Sequence, residues 1–447
     1  MVEHLERWLI PVMLVFGLIY VCLVPPFQAP DESNHFLRAY QISEGRFFPE
    51  TTGSRLGGDL PQQAGAVCDS FIYLRLKENA HLNAGLFKRM WNQPPLEQQR
   101  RFTDFANTAI YIPAAYTPQA AAIAAVRLLG ASPLQCLYAA RLANLLVWLM
   151  LVFASVRLLP LGSRSVLFFA LLPASLVIAA SASADVLTNG LCWWFLAASL
   201  VAPTSSFRFF KQTVVIGLIS AYKIITLPLS LLMYTHAYTR RQVTVLTGVG
   251  LIFAIGWGLT AANWFIPYDQ YDPGYRDTQT LNSGVDPTRQ IQYILAHPFN
   301  FLSTMVHSMV EAVPSMAAHL TGKFGWEKNY LPGYWIGLLW VSIFGLLFSE
   351  KNTLTKGQRG RFIAVSVLYV VGFAVTMYAL WCKVGAERIH NWQGRYFIAI
   401  LPLLGLAIAN SCLVRWRNQL EAGAYLIGIA ANVAMVFAIW VRYYPGI

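Results

Sequence analysis

Charged residues are scarce in this chain of 447 residues, since Asp, Glu, Lys and Arg together make up only 12%. A soluble globular domain carries about 25% charged residues, so a water-soluble enzyme and a disordered chain are both excluded. Hydrophobic residues make up 56% and aromatic residues 14% of the chain. The apolar runs are far longer than the roughly 10-residue strands of an outer-membrane barrel. The composition therefore predicts an all-α, polytopic membrane protein.

Motifs for metal binding and for nucleic-acid binding are also missing from the sequence. The six cysteines have no metal-ligand spacing. Cys68 and Cys382 fall in segments that we expect outside the membrane, where a disulfide between them is an open question. The 33 Lys and Arg residues outnumber the 21 Asp and Glu residues. In a membrane protein this excess of basic residues reflects the orientation of the chain in the membrane and its contacts with lipid headgroups. No nucleic-acid partner is therefore expected.

The N-terminus lacks the cleavage site of a signal peptide. Arg7 precedes an apolar run over 8–24, as in a signal peptide, but Pro25 and Pro26 follow where small residues would stand. We therefore expect a retained first helix. Windows of about 19 apolar residues predict further spans. These are 134–156, 165–181, 186–203, 244–266, 333–349, 362–381, 395–412 and 424–442.

Two apolar segments are ambiguous. Segment 113–130 is Ala-rich and carries two prolines, whereas Lys223 interrupts segment 212–235, which is either one kinked span or a re-entrant pair of half-helices. The short basic loops all face the cytoplasm if 113–130 lies on the outer surface and 212–235 is re-entrant. These loops are 157–164, 207–211, 240–241, 351–361 and 415–417. This arrangement gives about eleven membrane segments, with the N-terminus inside and the C-terminus outside.

The charge distribution also predicts the side on which chemistry takes place. Most acidic residues lie in two long outer segments that we expect to carry interfacial helices, so an active site would be extracytoplasmic. We expect one integral-membrane domain, 1–447, in a bacterial inner membrane. Its parts are a first helix (8–24), a long outer loop (25–133), core helices (134–266), a second outer loop (267–332) and C-terminal helices (333–447).

An acidic pair, Asp31 and Glu32, stands just beyond the first span and is followed by His35. Such a group can act as a general base or bind a metal. The structural alternative is that Asp31 caps a surface helix over 32–44. A cap at Asp31 would not explain why Glu32 and His35 stand beside it. Asp185, in a small-residue loop between two spans, presents the same choice between chemistry and an N-cap for 186–203.

Two basic residues stand at places where a phosphate could bind. Lys223 interrupts an apolar segment, and a charge at that depth costs several kcal/mol unless it is paired or lines a wet cavity. Arg395 opens the predicted span 395–412, where a guanidinium and a helix N-terminus both favour an anion. The alternative for Arg395 is an interfacial anchor.

Two further basic residues are weaker candidates. Arg141, near the outer end of 134–156, either snorkels to the headgroups or contributes to a site. Lys323 stands between Gly322 and Gly325 and can meet an anion on a glycine turn, but the spacing is not that of a P-loop.

These motifs, in this order and spacing, resemble a bacterial family of multi-pass membrane proteins of unknown function that is grouped with the GT-C superfamily. GT-C proteins are integral-membrane glycosyltransferases that use lipid-phosphate-linked sugars. The resemblance covers about residues 8–412. It rests on Pro30-Asp31-Glu32 with His35, Tyr111 to Pro118, Ser183-Ala184-Asp185 with Asn189, Gly322-Lys323-Phe324-Gly325-Trp326 and Gln393-Gly394-Arg395-Tyr396.

The resemblance implies a GT-C-like fold and an inverting glycosyltransferase. Because sugar nucleotides are cytoplasmic, an outward-facing enzyme needs a polyprenyl-phosphate sugar donor, and its acceptor is a glycan, a lipid or a protein of the cell envelope. The resemblance implies a second acidic residue near Asp31, which Asp185 matches. The candidate catalytic residues are thus Asp31, Glu32 and Asp185, and the candidate phosphate-binding residues are Arg395, Lys223, Arg141 and Lys323. The candidate substrate-binding residues are His35, Arg38, Tyr111, Tyr116, Asn189, Trp326, Gln393 and Tyr396. Whether a divalent cation, Mg²⁺ or Mn²⁺, takes part is left open.

Other functions are also compatible with a basic polytopic chain. A lipid-linked glycan transporter or flippase would show repeated halves, and the sequence has no such repeat. A glycan polymerase or ligase has large outer loops but lacks the acidic pair after the first helix. A noncatalytic envelope-assembly subunit is the fourth hypothesis. The enzyme hypothesis requires that Asp31, Asp185 and Arg395 converge in the fold.

Overall fold

The computed structural model describes residues 6–95, 98–201, 205–234, 238–266, 270–271, 284–326, 329–351 and 353–445. Within these ranges, four helices are long and apolar enough to cross a membrane: Pro133–Leu158, Arg240–Ala262, Lys356–Trp381 and Val414–Tyr443. Shorter apolar helices accompany them at Arg7–Leu23, Ile224–Met233, Gly333–Phe348 and Gly394–Ile408. The predicted helical membrane protein is therefore confirmed, whereas the number of about eleven segments stays a prediction.

Buried apolar side chains form one continuous cluster, which includes Leu9 near the beginning and Tyr443 near the end of the described chain. The first ten helices are α1 Glu6–Leu23, α2 Glu32–Ser43, α3 Gln62–Phe71, α4 Tyr73–Leu76, α5 Ala84–Trp91, α6 Ala106–Ala109, α7 Thr117–Arg127, α8 Pro133–Leu158, α9 Ser163–Leu171 and α10 Pro173–Ala179. The others are α11 Asp185–Ser199, α12 Ser206–Tyr222, α13 Arg240–Ala262, α14 Pro287–Ala296, α15 Pro298–Thr321, α16 Gly333–Phe348, α17 Lys356–Trp381, α18 Leu401–Ile408 and α19 Arg417–Tyr443. Within the described ranges, four 3₁₀ helices link some of them: Pro113–Tyr116, Ile224–Met233, Gly394–Ile400 and Val414–Trp416.

Two predicted spans are broken in the structure. The window 165–181 forms α9 and α10, because Leu172, which precedes Pro173, adopts an extended conformation with ψ 133°. The window 395–412 forms the 3₁₀ helix Gly394–Ile400 followed by α18, which has Pro402 in its first turn. A proline in the first turn of a helix costs no hydrogen bond, whereas a proline further along removes one backbone hydrogen bond and favours a break or kink. Prolines therefore divide both windows.

The predicted surface helices are present. The helix expected over 32–44 is α2, and the segment 113–130 forms a 3₁₀ helix followed by α7. The second outer segment contains α14 and α15. The depth of these helices in a membrane stays a prediction. Cys68 and Cys382 are both free thiols in the structure, so the disulfide that the sequence left open is not formed.

A small antiparallel sheet in the first outer segment was not predicted. It consists of β1 Glu50–Thr52, β2 Arg55–Pro61 and β3 Arg100–Asp104, in the order β1-β2-β3. The middle strand needs glycine, because a Cβ on Gly57 would lie 1.9 Å from the carbonyl oxygen of Thr103 on β3. The strictly all-α expectation is therefore wrong for this segment, whose short polar strands carry little hydrophobic periodicity.

The chain doubles back at Lys223. Helix α12 ends at Tyr222, and the 3₁₀ helix Ile224–Met233 returns toward the place where α12 began. At the base of this hairpin, the Gln212 side chain donates a hydrogen bond of 2.8 Å to the Tyr238 hydroxyl, which contacts the end of α11. The described part of segment 212–235, which ends at residue 234, therefore favours the re-entrant pair over one kinked span.

The basic loops lie at the same end of the molecule. The ion pair between Arg164 and Glu421 joins the first of these loops to the beginning of α19, about one turn after the last loop. Arg361 donates to the carbonyl of Tyr234, and this contact joins the fourth loop to the base of the hairpin, where the second and third loops lie. The C-terminal end of α11 contacts the base of the hairpin. Asp185 is the first residue of α11 and therefore lies about 21 Å from that end. The positive charge of these loops therefore lies away from Asp185.

This arrangement can be tested by cysteine labelling in a variant that lacks the six native cysteines. Lys211→Cys and Lys356→Cys are expected to react with an impermeant maleimide from the same side of a sealed vesicle. Lys88→Cys on α5, which packs near the start of α8 through the Phe87–Tyr138 contact, is expected to react from the opposite side. Labelling of Lys211→Cys and Lys356→Cys from different sides would contradict the hairpin.

Candidate functional site

A buried ion pair joins the first helix to α2 and α8. The Arg141 guanidinium donates to both carboxylate oxygens of Glu32, at 2.8 and 2.6 Å, and neither side chain is exposed. The same guanidinium donates to the carbonyl oxygens at the end of α1, at Val21, Val24 and Pro25. Its donors are occupied within the protein. We therefore correct two assignments, because Glu32 and Arg141 hold the fold together instead of facing a substrate.

The same ion pair positions the loop that carries Asp185. Glu32 Oε1 accepts a hydrogen bond of 3.0 Å from the backbone amide of Ala182. The amide side chain of Asn144 on α8 donates to the Ser183 carbonyl oxygen at 2.9 Å. These contacts hold the loop before α11 against the beginning of α2. Asp185 is thereby brought toward Asp31.

Asp31 pairs with Arg395. The backbone of Asp31 is left-handed, with φ 60°. Every residue of α2 is described, and the side chain of Asp31 makes no cap hydrogen bond to this helix. Instead, Arg395 Nη2 donates to Asp31 Oδ2, and Nη1 donates to the Pro30 carbonyl oxygen at 3.1 Å. Arg395 lies on the 3₁₀ helix Gly394–Ile400. The expectation of an α-helix N-terminus beside Arg395 is therefore wrong, because α18 begins only at residue 401.

Asp185 pairs with Lys223 at the apex of the hairpin. The Lys223 ammonium lies 2.7 Å from Asp185 Oδ1, and the Tyr222 hydroxyl donates to the same oxygen at 2.9 Å. Asp185 is the first residue of α11, and the N-cap position is occupied by Ala184. Lys223 in an unbroken helix was expected to need an acidic partner. The structure provides that partner, Asp185, but Lys223 lies at a break between two helices. Tyr222 was missed, although its position beside Lys223 was a usable signal.

Tyr396 connects the two ion pairs. Lys223 Nζ and Arg395 Cζ each lie 4.9 Å from the centroid of its ring. The Tyr396 hydroxyl also accepts a hydrogen bond of 3.0 Å from Arg395. Asp31, Asp185, Lys223 and Arg395 therefore form one group, which we call the four-charge cluster. Its formal charge is zero, and the convergence that the enzyme hypothesis requires is present.

Aromatic rings and a neutral histidine surround the four-charge cluster. His35 shares a hydrogen bond of 2.9 Å with the Tyr116 hydroxyl and stacks on Tyr111, whose ring meets Tyr222 at a centroid distance of 5.0 Å. Burial lowers the pKa of His35 to about 4, so this histidine is neutral at pH 7. Arg38 is fully buried and donates to the Tyr111 carbonyl oxygen at 3.2 Å. Arg38 therefore positions the Tyr111 segment instead of contacting a substrate.

Asp31 is ionised at neutral pH. Burial raises the pKa of its carboxyl group, but the neighbouring Arg395 lowers it further, so that the pKa lies below its ordinary value. Its side chain is 29% exposed, compared with 5% for Asp185, 9% for Arg395 and 15% for Lys223. Asp31 is therefore the member of the four-charge cluster that a solute can reach most directly.

The remaining candidate residues lie around the four-charge cluster. Lys323 Nζ is 3.2 Å from His319 Nε2, and the Gly394 amide donates to His319 Nδ1 at 3.3 Å. Lys323 thus reaches the Arg395 segment through His319, a residue that sequence analysis missed. Trp326 donates to the backbone at the end of α1. Gln393 is half-buried directly before the 3₁₀ helix, and Asn189 is buried one turn after Asp185.

The donor set does not fit a divalent cation. Among the described residues, no group of three His, Cys, Asp or Glu side chains could hold a metal ion. Mg²⁺ prefers several oxygen ligands, but a basic side chain neutralises each carboxylate of the four-charge cluster. A surface cavity of about 700 Å³ lies elsewhere, on α5, and is lined by residues between Gly85 and Pro94. It contains none of the candidate site residues.

The sequence matches one family model over residues 14–404, which includes the whole four-charge cluster. The chain belongs to the predicted membrane protein family DUF2142. Comparison with curated proteins and with solved structures finds no match to this chain. Membership of DUF2142 confirms the membrane protein and leaves its activity to be argued from the site.

The structural role of the buried ion pair predicts a large loss of stability when one partner is removed. Glu32→Gln leaves Arg141 buried without a counter-charge and is expected to lower the free energy of unfolding by about 3–5 kcal/mol. The double variant Glu32→Gln, Arg141→Met is expected to recover much of this loss. Thermal unfolding of the purified protein measures both effects.

The matched control for this experiment is an exposed ion pair. Arg289, whose side chain is 79% exposed, pairs with Asp286 at 3.5 Å. Arg289→Gln is expected to change stability by less than about 1 kcal/mol. A Glu32→Gln protein as stable as this control would show that the buried pair does not hold α1, α2 and α8 together.

Proposed function

We propose that this protein is an integral-membrane glycosyltransferase of the GT-C type. It transfers a sugar from a polyprenyl-phosphate donor to a glycan, lipid or protein acceptor of the bacterial cell envelope. The observation that supports the proposal is the four-charge cluster, whose members Asp31 and Arg395 are 364 residues apart in sequence. It combines the groups that such a reaction needs, a carboxylate for a proton and cations for a phosphate.

Asp31 is the proposed general base. The acceptor hydroxyl oxygen forms a bond to the anomeric carbon of the sugar while the bond from that carbon to the phosphate oxygen breaks. The hydroxyl proton moves to the Asp31 carboxylate, and the bonding electrons leave with the polyprenyl phosphate. Asp31 suits this role because it is ionised and is the most exposed of the four charged residues. Attack from the face opposite the phosphate inverts the anomeric centre.

Arg395 and Lys223 are the proposed phosphate-binding residues. A guanidinium and an ammonium on either side of Tyr396 can stabilise the negative charge that grows on the leaving phosphate. Asp185 positions Lys223, since it is buried and also accepts a hydrogen bond from Tyr222. Tyr111, Tyr222 and Tyr396 offer ring faces to the sugar.

The charge distribution supports an extracytoplasmic site. The basic loops converge at one end of the molecule, and the positive-inside rule assigns that end to the cytoplasm. Asp185 lies at the other end of α11. A site on that side has no supply of sugar nucleotides. A lipid-linked sugar that reaches the outer leaflet is therefore the proposed donor, and the bacterial inner membrane is the proposed location.

The proposed base can be tested by transfer of a labelled sugar from a polyprenyl-phosphate donor in proteoliposomes. Asp31→Asn is expected to lower the transfer rate by about 10²–10⁴-fold, because the amide cannot accept the acceptor proton. Asp286→Asn, which removes a carboxylate outside the four-charge cluster, is the matched control and is expected to transfer at the normal rate. An unchanged rate for Asp31→Asn would remove Asp31 from the proposed mechanism.

The proposed contact between Arg395 and the leaving phosphate predicts an effect on kcat. Arg395→Gln is expected to lower kcat by about 10²–10³-fold, since it removes charge stabilisation of the leaving phosphate. Arg289→Gln serves as the control for loss of an arginine. Translocation of a lipid-linked glycan without any sugar transfer would instead favour the transporter hypothesis.

A further inference from the structure

Arg395 has hydrogen-bonding capacity that its present partners do not use. Its Nη1 donates to the Pro30 carbonyl oxygen, and its Nη2 donates to Asp31 and to the Tyr396 hydroxyl. Its Nε is buried and has no partner among the residues that the structure describes. A buried donor without a partner costs about 1–3 kcal/mol. The guanidinium is therefore suited to accept a further anionic ligand.

The base strength of Asp31 depends on Arg395. The ionisable groups that act on Asp31 are Arg395, His35 and Asp185. His35 is neutral at pH 7, and the carboxylate of Asp185 favours protonation of Asp31. Arg395 is thus the main group that keeps Asp31 ionised and weakly basic. A ligand that draws Arg395 away makes Asp31 a stronger base.

The second ion pair of the cluster is built differently. Asp185 is almost fully buried and holds both Lys223 and Tyr222 on the same carboxylate oxygen. Asp31, in contrast, is partly exposed, and Arg395 is its ion-pair partner in the structure. The Asp31–Arg395 pair is therefore the one that an incoming anion can open at lower cost.

We propose that Arg395 is exchanged between Asp31 and the donor phosphate, so that donor binding releases Asp31 to act as the base. This inference rests on the proposed glycosyltransferase function and adds an order of events to it. The base is weak while no donor is bound. It gains strength when the phosphate takes over the hydrogen bonds of the guanidinium.

The chemistry of the transfer reinforces this exchange. A polyprenyl-phosphate sugar carries one negative charge on its phosphate, whereas the polyprenyl phosphate that leaves carries about 1.5 to 2 at pH 7. At the same time Asp31 gains the acceptor proton and loses its charge. Both changes move Arg395 from the carboxylate toward the phosphate. The interaction is therefore stronger in the transition state than with the bound donor, as catalysis requires.

The experiment measures binding of a polyprenyl monophosphate to the full chain in nanodiscs at pH 7.5. Asp31→Asn removes the competitor for Arg395 and is expected to tighten binding about fivefold. Asp286→Asn, the matched control, is expected to bind like the wild type. Equal or weaker binding by Asp31→Asn would overturn the exchange, because Asp31 would then not compete with the lipid phosphate.

A double variant separates exchange from simple charge repulsion. Arg395→Gln is expected to weaken binding about tenfold. In that background Asp31→Asn is expected to have no further effect, since no guanidinium remains to be shared. A persisting fivefold gain would overturn the exchange, as it would show direct repulsion between Asp31 and the phosphate. Arg395→Lys is the second variant, for the case that Arg395→Gln does not fold. Because Arg395→Lys keeps a cation that can be shared, Asp31→Asn is expected to tighten lipid binding in the Arg395→Lys background as well.

The outcomes distinguish this inference from the proposed function. A wild-type protein that does not bind polyprenyl phosphate would overturn both. A wild-type protein that binds the lipid and transfers sugar, with no gain from Asp31→Asn, would overturn only the exchange.

Discussion

The buried ion pair between Glu32 and Arg141 is the constraint on which the arrangement of the site depends. It ties together the end of α1, the beginning of α2, the first half of α8 and the loop before α11. Two charges removed from water are stable only when each compensates the other and their hydrogen bonds are satisfied. The pair meets both conditions, and it therefore determines where Asp31 and Asp185 can lie.

The four-charge cluster is built on this support and combines opposite requirements. A site that receives a phosphate needs cations, and a site that removes a proton needs a carboxylate, so these groups have to lie close together. An isolated charge in a medium of low polarity is costly, and the groups therefore pair with one another. Substrate binding then takes place in competition with these internal pairs. In such a site, affinity for an anion and basicity of the carboxylate are linked through the shared cation.

Several features of the fold follow from local sequence. The apolar runs place α1, α8, α11, α13 and α16 within four residues of their observed bounds, because a helix in lipid has to satisfy its backbone within itself. Helices α17 and α19 begin six and seven residues before the predicted spans. The breaks before Pro173 and Pro402 were missed by a window that counts hydrophobicity and ignores proline. The sheet β1-β2-β3 was missed because its pairing depends on contacts between residues about 45 positions apart, such as Gly58 and Thr103. Asp31 occupies the N-cap position of α2, as the structural alternative predicted, but its side chain makes no cap hydrogen bond. The N-cap of α11 is Ala184 and not Asp185. Both carboxylates pair with cations instead.

The sequence by itself determined that the chain is a helical membrane protein. It also determined which stretches of the chain form basic loops, and which charged residues are costly enough to need a partner. These conclusions rest on transfer free energies of individual residues, which depend little on the rest of the fold. Only the tertiary structure decided which acid meets which base. Arg141 was a candidate for phosphate binding and is committed to Glu32, whereas Arg395 pairs with Asp31 and keeps one donor without a partner among the described residues. These pairs join residues 109 and 364 positions apart in the sequence, and local patterns carry no information about which of such distant residues meet.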